Sequence, residues 1–274
     1  GDSAFESCSK LESIYLGDHI EKIGNKAFSW CSALKDVKMP KSHYETGEKI
    51  FSFCVSLKEI RIEEGTKALK KGAFSVCSGL EKVYLPKSLE IIEPQCFEAC
   101  SKLKEVRFNY GIKKIGTWAF RECKSLESVV IPDSVEEINE GAFLGCAGLK
   151  SAVLPKGIKT ISSWLFGKCR SIKYIEIPFG VEKIESFAFS RCTGVEKILI
   201  PPTVKEVGES AFAVCDAMEE IDFGNADIIF KGRVFEICRN IKYVSVGIGS
   251  KNLSMDSFYQ CVKMEGIKLH SETE

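Results

Sequence analysis

The chain has 274 residues, 45% of them hydrophobic and 28% charged, and its 38 lysines and arginines are balanced by 38 aspartates and glutamates. That balance argues against the basic surface of a nucleic-acid binder, and no run of 18 apolar residues offers a membrane span. The opening GDSAFESCSK is no secretory leader; it reads as the tail of a unit already under way.

Two columns define that unit. Cysteine stands at 8, 31, 54, 77, 100, 123, 146, 169, 192, 215, 238 and 261, always 23 residues apart, and phenylalanine stands three residues before each one. A fixed period of this size is the sequence mark of a solenoid.

Taken in chain order, each unit opens after its cysteine. Ile14 and Leu16 alternate with outward residues, as do Val37 and Met39, Ile60 and Ile62, Val83 and Leu85, and Val106 and Phe108. This alternation predicts a short strand with one face inward. A proline often stops it, as at Pro40, Pro86, Pro132, Pro155, Pro178 and Pro201, because proline cannot donate to a ladder. Apolar residues return at Val135 and Ile138, or Val181 and Ile184. The A-F-x-x-C run that follows is too short for a free helix and predicts one helical or 3₁₀ turn. Each coil thus carries one strand on one side and a tight return on the other. Two units depart from the pattern and are expected to be looser. "MPKSHYETGEKIFSFC" carries Tyr44 and puts Thr46 at an isoleucine position, and "VGIGSKNLSMDSFYQC" puts Ser250 where valine is usual. A lone unit buries too little apolar surface to offset the ordering of its backbone. Stacking is what stabilises the array, so residues 1–274 are expected to form one domain of about twelve 23-residue repeats, cut open at both ends.

The units "VVIPDSVEEINEGAFLGC" and "IEIPFGVEKIESFAFSRC" resemble the leucine-rich repeat family in its BspA-like, or treponemal-type, subclass. The resemblance covers essentially the whole chain. It implies an α/β repeat solenoid: a right-handed horseshoe with a parallel concave β-sheet and short helical, 3₁₀ or irregular convex segments. It also implies a cell-surface or secreted protein of a host-associated microbe that binds matrix, host cells or other cells.

Thirteen cysteines raise disulfides, metal and redox chemistry. Equivalent residues of neighbouring coils sit about 4.8 Å apart with parallel side chains, whereas a disulfide needs Cβ atoms at roughly 3.8 Å, turned toward each other. The histidines His19, His43 and His270 share no column with cysteine, and there is no C-x-x-C; Cys96, four before Cys100, replaces the usual alanine. The column therefore reads as small, soft core side chains rather than bridges or ligands, and no metal or cofactor is expected. The chain lacks the phosphate-loop, serine-nucleophile and zinc-protease motifs. "GIGSKN" reads as a turn, and Asn252-Leu253-Ser254 is a single glycosylation triplet of the kind chance supplies. No catalytic residue is assigned and the chain is not read as an enzyme.

Function is then sought in the outward strand positions, on the extended face that solenoids use for binding. Four residues after the cysteine, Glu and Lys alternate in sign from Lys58 to Lys150, which reads as an ion ladder between strands. Five after, the column is mixed and includes Tyr174 and Tyr243. Seven after, it runs Tyr15, Lys38, Arg61, Tyr84, Arg107, Val130, Val153, Glu176, Leu199, Asp222: basic and aromatic first, apolar in the centre, acidic later. Arginine, tyrosine and exposed apolar residues are interface types. A rival patch lies two before the phenylalanine, where Trp118, Trp164 and Phe187 flank Gly141; these rings either bind a partner or cover the return. The expected function is a recognition module that binds a protein, or a glycan or matrix component, as a monomer. The alternatives are a structural spacer or an intracellular scaffold of a eukaryotic microbe.

Overall fold

The computed structural model describes residues 1–40 and 45–270; His43 and Tyr44, singled out above, lie outside the described residues. The chain winds as a parallel β-solenoid on the 23-residue clock. Twelve described strands form the expected row, from Ser13–Tyr15 through Lys82–Tyr84, Ser128–Val130 and Tyr174–Glu176 to Gly266–His270. Each pairing is parallel and shifts by one unit, as in Ile60↔Val83 and Val129↔Ala152. In most of them the middle residue is buried and its two neighbours point out, as a two-residue side-chain period requires. Hydrogen bonding groups the row into runs of two, five, two and three strands.

A second row was not anticipated. Ten two-residue strands, from Lys22–Ile23 to Ile229–Phe230, pair in parallel with the same shift. They sit where the sequence shows only that apolar residues return, as at Ile115 and Ile138. Two residues are too few for a visible alternation, which is why the pattern hid them.

The return segment also differs from expectation. It is a chain of turns, and the only helical stretch among the described residues is the 3₁₀ turn Met255–Phe258. Two residues of nearly every coil adopt left-handed backbone, for example Trp118 at φ 57° and Glu122 at φ 58°, or Phe187 at 61° and Arg191 at 62°. This is uncommon for any residue but glycine and unfavourable for Val76, Val214 and Ile237, which share it. The compensation is a third ladder: Trp118, Phe120 and Glu122 donate their N–H groups to the carbonyls of Glu140, Ala142 and Leu144 at 3.0, 2.8 and 2.7 Å. A helical turn would satisfy those donors within its own coil and leave neighbouring coils unlinked.

The core is the two columns. Phe5 to Phe258 form an unbroken stack with centroids 5.3–5.9 Å apart and ring planes within 17°. The cysteines from Cys31 to Cys261 are buried, and each one of the 23-residue column donates its thiol to the phenylalanine carbonyl of the preceding coil at 2.9–3.4 Å. That carbonyl also accepts the amide of its own coil's cysteine; Phe97 takes Cys100 N and Cys123 Sγ, both at 3.2 Å. Both lone pairs of a buried carbonyl are thereby used, which gives the Phe-x-x-Cys spacing a physical reason. Burial pushes the Cys77 and Cys192 thiols up to about 12, far from the thiolate that redox or metal chemistry needs.

The departing units differ in how they adapt. Thr46 stands opposite Ile23 in the second row and is half-buried. Ser250 accepts from the Ile228 amide at 3.1 Å and donates to the Ala226 carbonyl at 3.3 Å, so its hydroxyl links coils in place of the usual apolar contact. Past Ile229–Phe230 the second row continues only as the single bridge Ile229↔Lys251.

Candidate functional site

The twelve-strand row presents its variable residues on one face. Tyr15, Lys38, Arg61, Tyr84, Arg107, Val130, Val153, Tyr174, Glu176, Leu199 and Asp222 are exposed there, and Tyr243 is half-buried. Register sets the neighbours: Tyr15 beside Lys38, Arg61 beside Tyr84, Val130 beside Val153, Glu176 beside Leu199. The strand pleat therefore brings the predicted residues onto one face in the predicted order.

At the early end the Arg61 guanidinium lies 4.4 Å from the Tyr84 ring centre, a cation–π contact that holds both side chains over the sheet. Arg107 instead donates to Glu105, two residues back along the chain, at 2.7 and 3.4 Å. A hollow of about 240 Å³ opens between Tyr15, Lys38, Arg61 and Tyr84, and one of about 600 Å³ between Arg61, Lys82, Tyr84 and Arg107. In the centre, Ser128 and Ser151 pair beside Val130 and Val153; the valines are 64% and 55% exposed, too open to belong to the core. At the late end a third hollow, of about 700 Å³, is lined by Glu196, Glu219, Glu220, Lys242 and Tyr243. There Tyr243 donates its hydroxyl to Glu265, which pushes the phenol up, and His270 Nε2 lies 2.9 Å from Asp222 Oδ1.

The alternating charge column forms discrete pairs between coils: Lys35–Glu12, Lys104–Glu81, Lys150–Glu127, Lys173–Glu196 and Lys242–Glu219, at 2.7–3.1 Å. Exposed pairs contribute little to stability; they consume charge that would otherwise be free to meet a partner.

The rival aromatic patch is half-buried and split. Trp164 and Phe187 stack at 4.5 Å with planes 8° apart. Trp118 lies over Gly141, where a Cβ would come within 2.6 Å of its ring, with the Arg121 guanidinium 5.3 Å from that ring. A second aromatic pair was missed: Trp30 and Phe53 stack at 3.9 Å. Its signal was present in "FSWC" and "FSFC", one residue before consecutive cysteines. All these rings occupy the left-handed positions of the return.

Among the described residues no group of three or more His, Cys, Asp or Glu side chains could hold a metal ion, and no helix is long and apolar enough to cross a membrane.

The family model for the BspA type leucine-rich repeat region, in six copies, matches residues 1–127, 67–186, 119–242 and 159–274. The chain belongs to the BspA-type leucine-rich repeat family. Among solved structures this BspA-type chain resembles a leucine-rich repeat protein from Bacteroides ovatus, with 24% identity over 94% of this chain and 71% of that one and a TM-score of 0.71. The pneumococcal vaccine antigen PcpA follows, at 20% identity over 96% of this chain and 69% of that one, TM-score 0.61. A leucine-rich repeat protein from Eubacterium ventriosum is 15% identical over 86% of this chain and 79% of that one, TM-score 0.53. At these identities the likeness is one of fold. No curated protein matches the chain in sequence.

Proposed function

We propose that this BspA-type solenoid is a non-enzymatic recognition module of a microbial cell-surface or secreted protein, and that its three-residue-strand face binds a protein of the host, the matrix or another cell. The observation that carries this reading is the exposed row in which Tyr15, Arg61, Tyr84, Val130 and Val153 project from a frame whose backbone is hydrogen-bonded coil to coil. A rigid frame lowers the ordering cost of binding, and these residue types supply most interface hot spots. Family membership supports surface display.

The test is the triple variant R61A/Y84A/R107A, assayed as purified protein on epithelial cells and on immobilised matrix proteins. Because Arg61 and Arg107 are exposed and Tyr84 is open to the hollow, the variant should keep its circular dichroism and melting profile while losing most of the binding. Full binding by a folded triple variant removes the face from the mechanism. Absence of saturable binding by the unmodified protein to any of these surfaces would instead favour a spacer.

A further inference from the structure

The column four residues after the cysteine takes eleven steps along the stack, and eight of them join opposite charges. The three like-charge steps are Lys35 to Lys58, Lys150 to Lys173 and Glu196 to Glu219. Among the described residues the first strand row lapses at the same three places. Its bonded runs are Ser13–Tyr15 with Asp36–Lys38, Glu59–Arg61 through Ser151–Val153, Tyr174–Glu176 with Lys197–Leu199, and Glu220–Asp222 through Gly266–His270. Every opposite-charge step lies inside a run, and every like-charge step lies between two runs. The ring stack responds beneath them. Phe51–Phe74, Phe166–Phe189 and Phe212–Phe235 stand 5.7, 5.9 and 5.8 Å apart. Where the first row stays bonded the rings stand 5.3–5.6 Å apart, except for 5.9 Å between Phe143 and Phe166, where the second row lapses instead.

Like charges directly opposite each other on neighbouring strands oppose pairing. We infer that the signs of this column set joints in the solenoid: at each like-charge step the first row opens, and the molecule is a series of four stiff panels that tilt about the return side. The return ladder crosses all three joints, with Phe51, Phe166 and Phe212 donating to the Ala73, Ala188 and Val234 carbonyls at 2.9, 2.9 and 3.0 Å. The strand row can therefore open while the coils stay linked. At the first joint the next two columns repeat the conflict, Asp36 with Glu59 and Lys38 with Arg61, and there the second row lapses too, between Glu45–Thr46 and Ala68–Leu69. At the third joint Lys197 precedes Glu220 in the middle column, and the second row runs on unbroken to Ile229–Phe230. The other lapse of the second row, between Glu137–Ile138 and Thr160–Ile161, has no like-charge step, so the sign pattern acts on the outward face alone. The joints fall between Lys38 and Arg61, Val153 and Glu176, and Leu199 and Asp222; their tilt sets the curvature of that face.

The test is amide exchange, followed residue by residue by NMR on the whole chain. Lys82 and Lys197 donate back to the preceding coil, to the Lys58 and Lys173 carbonyls at 3.2 Å. Glu59, Tyr174 and Glu220 hold the same place at the joints, and their amides should exchange at least about tenfold faster after correction for intrinsic rates. K150E makes the step to Lys173 opposite in sign and the step from Glu127 like. The joint should then move back by one coil: protection rises at Tyr174 and falls at Ser151, which pairs with Ser128 in the unaltered chain, each by about tenfold. K173Q removes the conflict without creating another, so it should protect Tyr174 and leave Ser151 unchanged. K67E, the same change of charge on a second-row edge, should alter neither. In 1 M sodium chloride, where the Debye length falls to about 3 Å, exchange at the three joints should slow toward that of the bonded strands. Circular dichroism melts confirm that the variants are folded. A lapse that stays at Tyr174 in folded K150E and K173Q would place its cause in the winding of the coils and overturn the inference. So would exchange at Glu59, Tyr174 and Glu220 no faster than at Lys82 and Lys197.

Discussion

On the return side of the coil, residues from Phe5 to Phe258 repeat almost without change, ring on ring, with each thiol bonded to the carbonyl of the coil before it. On the strand face the residue seven after the cysteine changes from tyrosine to arginine to valine to aspartate. Both sides obey the same 4.8 Å-scale stacking, yet one tolerates variation and the other does not. The return side is dry, so any change in volume or donor count is felt by two neighbouring coils. The strand face is wet, so water replaces whatever contact a substitution removes. The repeated core and the variable surface therefore lie on opposite sides of one 23-residue loop, and each can be disturbed without the other.

The largest expected effect comes from alkali, and it should act mainly through the return side. Burial raises the folded-state Cys77 and Cys192 thiols above their ordinary value, to about 12. Below pH 9 both folded and unfolded chains keep these protons and the contribution is constant. Between about pH 9 and 12 the unfolded chain releases them and the folded one does not, so stability falls as pH rises. The slope is up to about 1.4 kcal/mol per pH unit for each such thiol. Urea midpoints at pH 7, 9 and 10.5 should drop steeply over the last interval; a flat profile would mean the thiols are not buried as donors. Next in size is a matched pair of phenylalanines. Phe120→Ala, inside the stack, should lose about 3–5 kcal/mol in urea unfolding, while Phe179→Ala, 74% exposed in the turn after a strand, should stay within about 0.5 kcal/mol.

How much of this contrast the sequence showed depends on how each side signals itself. The Phe and Cys columns announce the period because a dry core demands identity at every step, and Val130 or Arg61 could be placed outward because a strand alternates. The second row escaped notice because strands such as Lys114–Ile115 are two residues long. The left-handed returns escaped because their residues differ so widely, from Trp118 to Val214 to Lys168; backbone bonding between coils, not side-chain type, holds them there. The clue was glycine at the same two positions, Gly72 and Gly141 before the phenylalanine and Gly145 before the cysteine. Which cations stay free was not legible either, since Arg107 turns to Glu105 while Arg61 turns to Tyr84; pairing depends on rotamers that spacing does not reveal.

A glycine pair tests those returns at an intermediate scale. Gly141 adopts φ 57° beneath the Trp118 ring, whereas Gly157, in the turn after a strand, has open space around its Cα. Gly141→Ala should destabilise by about 1–3 kcal/mol through backbone strain and displace the indole, seen as a shift in tryptophan fluorescence. Gly157→Ala should be neutral or slightly stabilising, by less than about 1 kcal/mol. Equal losses at the two sites would mean that the return is no more constrained than the loop.

The smallest expected effect isolates a single thiol. Cys96 is buried where most coils have alanine, as at Ala73 and Ala119, and burial holds its proton far more firmly than an exposed thiol would. Cys96→Ala removes one sulfur from a position whose neighbours already pack an alanine methyl, so at pH 7 the change should be under about 1.5 kcal/mol. The informative reading is the difference between pH 7 and pH 10.5. The variant has one fewer proton to lose on unfolding, so its midpoint should fall less steeply than that of the unaltered chain, by one thiol's share of the slope. Cys123→Ala should flatten the profile by the same share but with a larger loss at pH 7, because it also strips the Phe97 carbonyl of its second donor. If the two variants lose equally at neutral pH, the thiol-to-carbonyl bond adds nothing beyond packing, and the Phe-x-x-Cys spacing reduces to shape alone.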